Sequence, residues 1–134
     1  MRYLIIIMLA LSSVFFVSEV YGQEKTVRAV IDNDGVQRVE VTGGEYYFTP
    51  DHIIVKLNVP VEVKIKKAGG FVPHNIVIHE PDAGIDINEA LEKEPKAIKF
   101  TPKKAGKYPF YCDKKLFFTS HKDKGMEGVI EVVE

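Results

Sequence analysis

GKYPFYCDKKLFFTSHKDKGMEGVIEVV, residues 106–133, is the stretch that decides the fold. Residues 107–112 read as a strand. Side chains on a strand alternate between faces, so Tyr108, Phe110 and Cys112 share one of them. Two aromatic rings mark that face as the core side, which points Cys112 inward at the strand's end. Residues 126–133 alternate in the same way and close the chain as a last strand. Between the two strands, eight residues separate Cys112 from His121, and Met126 follows.

Working outward, the same period of two recurs. Residues 36–41 alternate apolar and polar side chains, Gly43-Gly44 reads as the turn that ends that strand, and residues 45–48 follow. Thr49-Pro50-Asp51 has turn chemistry. Residues 53–57 and 61–65 are β-branched runs separated by Asn58-Val59-Pro60, and Pro60 is expected to begin its strand rather than sit inside it. His74 opens another alternating run over 74–79, and residues 97–100 form a further strand. The 80–95 connection differs: Pro81-Asp82-Ala83-Gly84 is loop-like, and residues 87–93 are expected to make a short helix with Asn88 as a cap. Seven or eight short strands at these intervals predict an all-β chain, an antiparallel β-sandwich or barrel with Greek-key connections.

The chain has 134 residues. Arg2, the apolar run over 4–17 and the small residues at Val20 and Gly22 predict a signal peptide over 1–22, cleaved after Gly22. The apolar run is short for a membrane span, although an uncleaved anchor is the rival reading. Residues 23–134 then form a single domain in a secreted, periplasmic protein. Eighteen basic and nineteen acidic residues are interspersed, so charge suggests neither nucleic acid nor an anionic membrane as partner. One cysteine excludes an intramolecular disulfide. In an oxidising compartment a lone thiol is a liability unless something holds it.

His74, Cys112, His121 and Met126 together offer two imidazoles, a thiolate and a thioether. That set suits one copper ion cycling between Cu(I) and Cu(II). A dinuclear copper centre would need a second cysteine within the span after Cys112, and none is there. No nucleophile–base pair or carboxylate dyad stands out, so an enzyme is not expected. His52 and His79 are the remaining histidines, and both are expected at the surface.

The patterns G-x-Y-x-F-Y-C and H-x-x-x-G-M-x-G-x-I-x-V, with P-H-N-I-V-I upstream, resemble the cupredoxins, in particular the plastocyanin/azurin group of blue copper proteins. Residues 48–63 resemble the segment that precedes the histidine strand in that family. The resemblance covers nearly all of residues 23–134 and implies a cupredoxin-like Greek-key sandwich. It also implies His74, Cys112 and His121 as equatorial copper ligands and Met126 as the axial one. By the same resemblance Asn75 ties the two ligand loops together by hydrogen bonds. The implied function is a small one-electron carrier that docks transiently with redox partners.

Two features depart from the family pattern. The span from Cys112 to His121 is longer than usual, which by loop-closure entropy costs only about 1 kcal/mol. Asp113 stands where a serine or threonine is common, and its carboxylate could lie beside the thiolate. Both leave room for a perturbed green or red copper site with some catalytic role, and a copper chaperone or sensor is a further alternative. Leu116-Phe117-Phe118, three large apolar residues in a loop, either cover the metal or form an exposed docking patch. Lys114, Lys115, Lys122 and Lys124 would ring that patch and steer an acidic redox partner.

Overall fold

The computed structural model of the protein describes residues 25–134. The expected signal peptide over 1–22 and its cleavage point lie outside the described residues. Thirteen strand segments follow one another: β1 (Thr26–Arg28), β2 (Val30–Ile31), β3 (Gln37–Gly44), β4 (Tyr47–Thr49), β5 (His52–Lys56), β6 (Val61–Lys67), β7 (Asn75–Glu80), β8 (Ile85–Ala90), β9 (Lys96–Phe100), β10 (Gly106–Tyr111), β11 (Lys115–Leu116), β12 (Thr119–Ser120) and β13 (Glu127–Val133). Eight of them are five residues or longer. These eight supply most of the two sheets, and the short β1, β2 and β4 extend them.

One sheet has the order β1-β5-β13-β10-β7-β8, and the other has β2-β3-β6-β9 with β4 paired to β3. Neither sheet closes into a barrel. The chain passes from the first sheet to the second at Ala29, between β1 and β2, where the Ala29 N–H donates to the Ile54 carbonyl at 2.9 Å. The pairing is mixed rather than purely antiparallel. β5 runs parallel to both β1 and β13, and β3 runs parallel to β6.

The alternation read from sequence is what fills the core. On β6, Val61, Val63 and Ile65 are buried while Lys64 between them is exposed. Ile53, Val55, Ile130 and Val132 do the same on β5 and β13, and Phe110 sits at the centre with its ring 5.1 Å from Phe48 in an edge-to-face pair. Pro60 directly precedes β6, as its missing N–H requires.

Three further expectations differ from the structure. The helix over 87–93 is absent, because residues 85–90 form β8 and pair with β7 across six positions. Ile85 and Ile87 alternate into the core, and a ladder of this length outweighs the helical preference of a short isolated run. The helical content of this connection is one 3₁₀ turn at Pro81–Ala83. Second, Gly43-Gly44 end β3 instead of turning, and the turn falls at Glu45-Tyr46. A Cβ on Gly43 would run into Leu91 Cδ2 and lie 3.4 Å from Met126 Cε, so a side chain there would displace the end of Leu91. Third, His52 is half-buried rather than on the surface, with Nε2 2.7 Å from Glu131 Oε2 and Nδ1 3.2 Å from Thr26 Oγ1. His79 is exposed, beside Asp86.

Candidate metal centre

β7 and β10 are antiparallel neighbours, with Tyr111 opposite Val77. That pairing brings the residue just before β7 beside the residue just after β10, so His74 meets Cys112. β13 pairs with β10 on its other side, and the Cys112 N–H donates to the Met126 carbonyl at 3.1 Å. The Met126 N–H in turn donates to the His121 carbonyl at 3.0 Å. The four residues that sequence singled out therefore converge at one end of the sandwich. All are buried: His74 is 2% exposed, His121 1%, and Cys112 and Met126 0%.

His74 Nδ1 and His121 Nδ1 are 3.1 Å apart, and Cys112 Sγ lies 3.4 Å from His121 Nδ1 and 4.0 Å from His74 Nδ1. Among the described residues this is the one group of three or more potential His, Cys, Asp or Glu donors close enough to share an ion. Donors bound at about 2.0–2.3 Å to one ion lie about 3–4 Å from each other. The triangle is compatible with one copper ion.

Burial lowers the pKa of both imidazoles. His74 is pushed down further by His121 and Lys67, against a smaller opposing pull from Glu45; His121 is pushed down by Lys124. Both rings are thereby held neutral near pH 7, the form in which a histidine can bind a metal.

Asn75 joins the segments that carry the donors. Its N–H donates to Cys112 Sγ at 3.5 Å. Its side-chain amide donates to Asp113 Oδ1 at 2.8 Å and to Asn88 Oδ1 at 3.3 Å, and its Oδ1 accepts from the Asp113 N–H at 3.0 Å. Asp113 therefore spends its carboxylate on Asn75, and it is not among the grouped donors.

The long span after Cys112 is a β-hairpin. β11 and β12 pair Lys115 with Ser120 and Leu116 with Thr119, leaving Phe117-Phe118 as the two-residue tip. Phe117 and Phe118 are 89% and 103% exposed, so they do not cover the metal centre. Phe117 has φ 57°, a position where hairpins favour glycine or asparagine. Phe117→Asn is expected to raise the melting temperature of the metal-free protein, by an amount worth up to about 1 kcal/mol. A lower melting temperature would mean that the ring is held by contacts within the chain.

Sequence reasoning missed Tyr46. Its ring meets His121 edge-on at 5.1 Å between centroids and His74 at 6.3 Å, and Lys124 Nζ lies 4.2 Å from the ring centroid. The aromatic pair after Gly43-Gly44 was the available signal, but nothing in it says that the β3–β4 turn faces the ligand loops.

A family model described as a cupredoxin-like domain matches residues 4–130. The chain belongs to the cupredoxin-like family. No curated protein matches it. Among solved structures, it is similar to the metal-binding domain of the Cu(I)-exporting P-type ATPase CopA of Streptococcus pneumoniae D39, with Cu(I), at 27% identity and a TM-score of 0.63. That match covers 84% of this chain and 100% of that one. A copper-binding protein in its apo form is 25% identical, with a TM-score of 0.55 over 82% of this chain and 99% of that one. Auracyanin from Roseiflexus castenholzii, at 22% identity, shares the fold with a TM-score of 0.56, over 72% of this cupredoxin and 97% of its own chain. No helix among the described residues is long and apolar enough to cross a membrane.

Proposed function

We propose that this cupredoxin binds one copper ion through His74, Cys112, His121 and Met126 and carries single electrons between redox partners outside the cytoplasm. The observation that carries the reading is the buried triangle of Nδ1, Nδ1 and Sγ, with separations of 3.1, 3.4 and 4.0 Å. Held by these residues, a copper ion would supply one-electron chemistry: the Cys112 thiolate would favour Cu(I), the His74 and His121 imidazoles would serve both oxidation states, and the Met126 thioether would add a weak soft donor.

This chain's residues supply the rigidity that makes such exchange fast. Strands β7, β10 and β13 hold three donor segments in one sheet, and Asn75 cross-links the His74 and Cys112 segments. A preorganised, dry site changes little when its charge changes, so little energy is spent on rearrangement. The Phe117–Phe118 tip and the exposed lysines 114, 115, 122 and 124 support transient docking of an acidic partner beside the centre.

A second reading is copper binding without electron transfer, as a chaperone or sensor. The 27% identity to the CopA metal-binding domain with Cu(I) favours it. Copper titration of the mature protein followed by voltammetry separates the two. The carrier reading expects a strong thiolate-to-copper visible band with Cu(II) and a reversible one-electron couple. Tight Cu(I) binding with no reversible couple would leave the chaperone reading in its place. A band whose copper exchanges added ligands would instead indicate an open, perturbed site.

A further inference from the structure

We propose that Tyr46 is the port through which electrons enter and leave this site. The inference rests on the carrier reading and deepens it. All four proposed ligands are buried, so none of them presents an edge of its own to a partner. Electron coupling falls steeply across empty gaps, and a half-buried aromatic ring in contact with a ligand is a favourable bridge. Tyr46 is such a ring. Its ring centroid lies 5.1 Å from that of His121 at 78° and 6.3 Å from that of His74 at 89°, so one side chain stands edge-on to both imidazoles.

Two further observations separate Tyr46 from an incidental neighbour. Its φ is 67°, in the left-handed region that a non-glycine residue enters at a cost, and it takes this conformation in the β3–β4 turn, where its ring lies edge-on to both histidines. Lys124 Nζ sits 4.2 Å from the ring centroid, which pins the ring and places a positive charge where an anionic acceptor would approach. The rival route is Tyr111, which is bonded to Cys112 and carries Lys122 Nζ 4.8 Å from its own centroid. Adjacent strand residues face opposite ways, so the Tyr111 ring is directed away from the face that holds Cys112.

In the exchange itself, Cu(I) loses one electron and the acceptor gains it. Tyr46 keeps its electrons and its proton throughout. The test is stopped-flow oxidation of the Cu(I)-loaded protein by ferricyanide, which is reduced to ferrocyanide. Wild type, Tyr46→Phe, Tyr46→Leu and Tyr111→Leu are compared at matched driving force, with the visible band, potential and melting temperature recorded for each. Tyr46→Phe is expected to react like wild type, because it keeps the ring. Tyr46→Leu is expected to slow oxidation roughly tenfold without moving the potential, and Tyr111→Leu to change little. Lys124→Gln, an exposed substitution, is expected to slow the reaction and flatten its dependence on ionic strength.

An unchanged or faster rate in Tyr46→Leu would overturn the proposal, a faster one identifying the ring as a shield. So would a loss carried by Tyr111→Leu, or an ionic-strength dependence that Lys124→Gln leaves untouched. Absence of a reversible couple in wild type would instead defeat the carrier reading itself, so the two failures are distinguishable.

Discussion

Cys112→Ser is expected to abolish the thiolate-to-copper band and to leave a fold that still melts cooperatively. Cys112 Sγ is the one soft anionic donor in the triangle and is fully buried. Serine keeps approximately the shape, but its hydroxyl is a poor, hard and normally neutral donor, so selectivity for Cu(I) disappears with the sulfur. The loss of Cu(I) affinity should exceed the roughly 10–100-fold that removal of an outer-shell partner costs, because a direct bond is lost. Stability of the metal-free chain should change far less. A buried hydroxyl without a partner costs about 1–3 kcal/mol, and here the Asn75 N–H is close enough to offset part of it. Visible absorption on Cu(II) titration, competition with a Cu(I) chelator and thermal melting measure the three quantities. A variant that keeps the wild-type band would show that the copper sits elsewhere.

Asn75→Ala comes next in size, and it acts on the apo fold and the metal together. Asn75 is 3% exposed and its side chain makes three hydrogen bonds, one of them to a carboxylate. Truncation strands the Asp113 N–H and frees the Asp113 carboxylate beside the thiolate. Because Asp113 is exposed, its charge-assisted bond is discounted for screening. The net loss is then about 2–3 kcal/mol for the metal-free protein. Copper affinity should fall by about 10–100-fold, the usual effect of losing an outer-shell partner. Denaturant unfolding and chelator competition give the two numbers. Unchanged values for both would mean that the two ligand segments hold their positions without the cross-link.

These two predictions concern residues that the sequence already placed together, whereas Tyr46 and the hairpin required the fold. The difference has a physical basis. Donor chemistry belongs to residue types, so a cysteine, two histidines and a methionine flanking strand-like runs point to a soft-metal site wherever the chain takes them. Strand periodicity is also local, and β5, β6, β7, β9, β10 and β13 follow it within a residue or two. Residues 87–93 mislead because their side chains favour a helix locally while the ladder to β7 lies outside the window. The Phe117–Phe118 tip misleads in the opposite sense, since a hairpin there violates the usual turn chemistry.

By itself, the sequence determined the candidate donor residues, the core-facing alternation and the all-β class. Each of these is a property of side-chain chemistry and of a period of two along the chain. Only the tertiary structure decided that the long span is a hairpin pointing its rings at solvent, that Asp113 is spent on Asn75, and that Tyr46 lies edge-on to both histidines. Those outcomes depend on contacts between segments far apart in the chain, whose meeting is set by strand pairing rather than by any local preference.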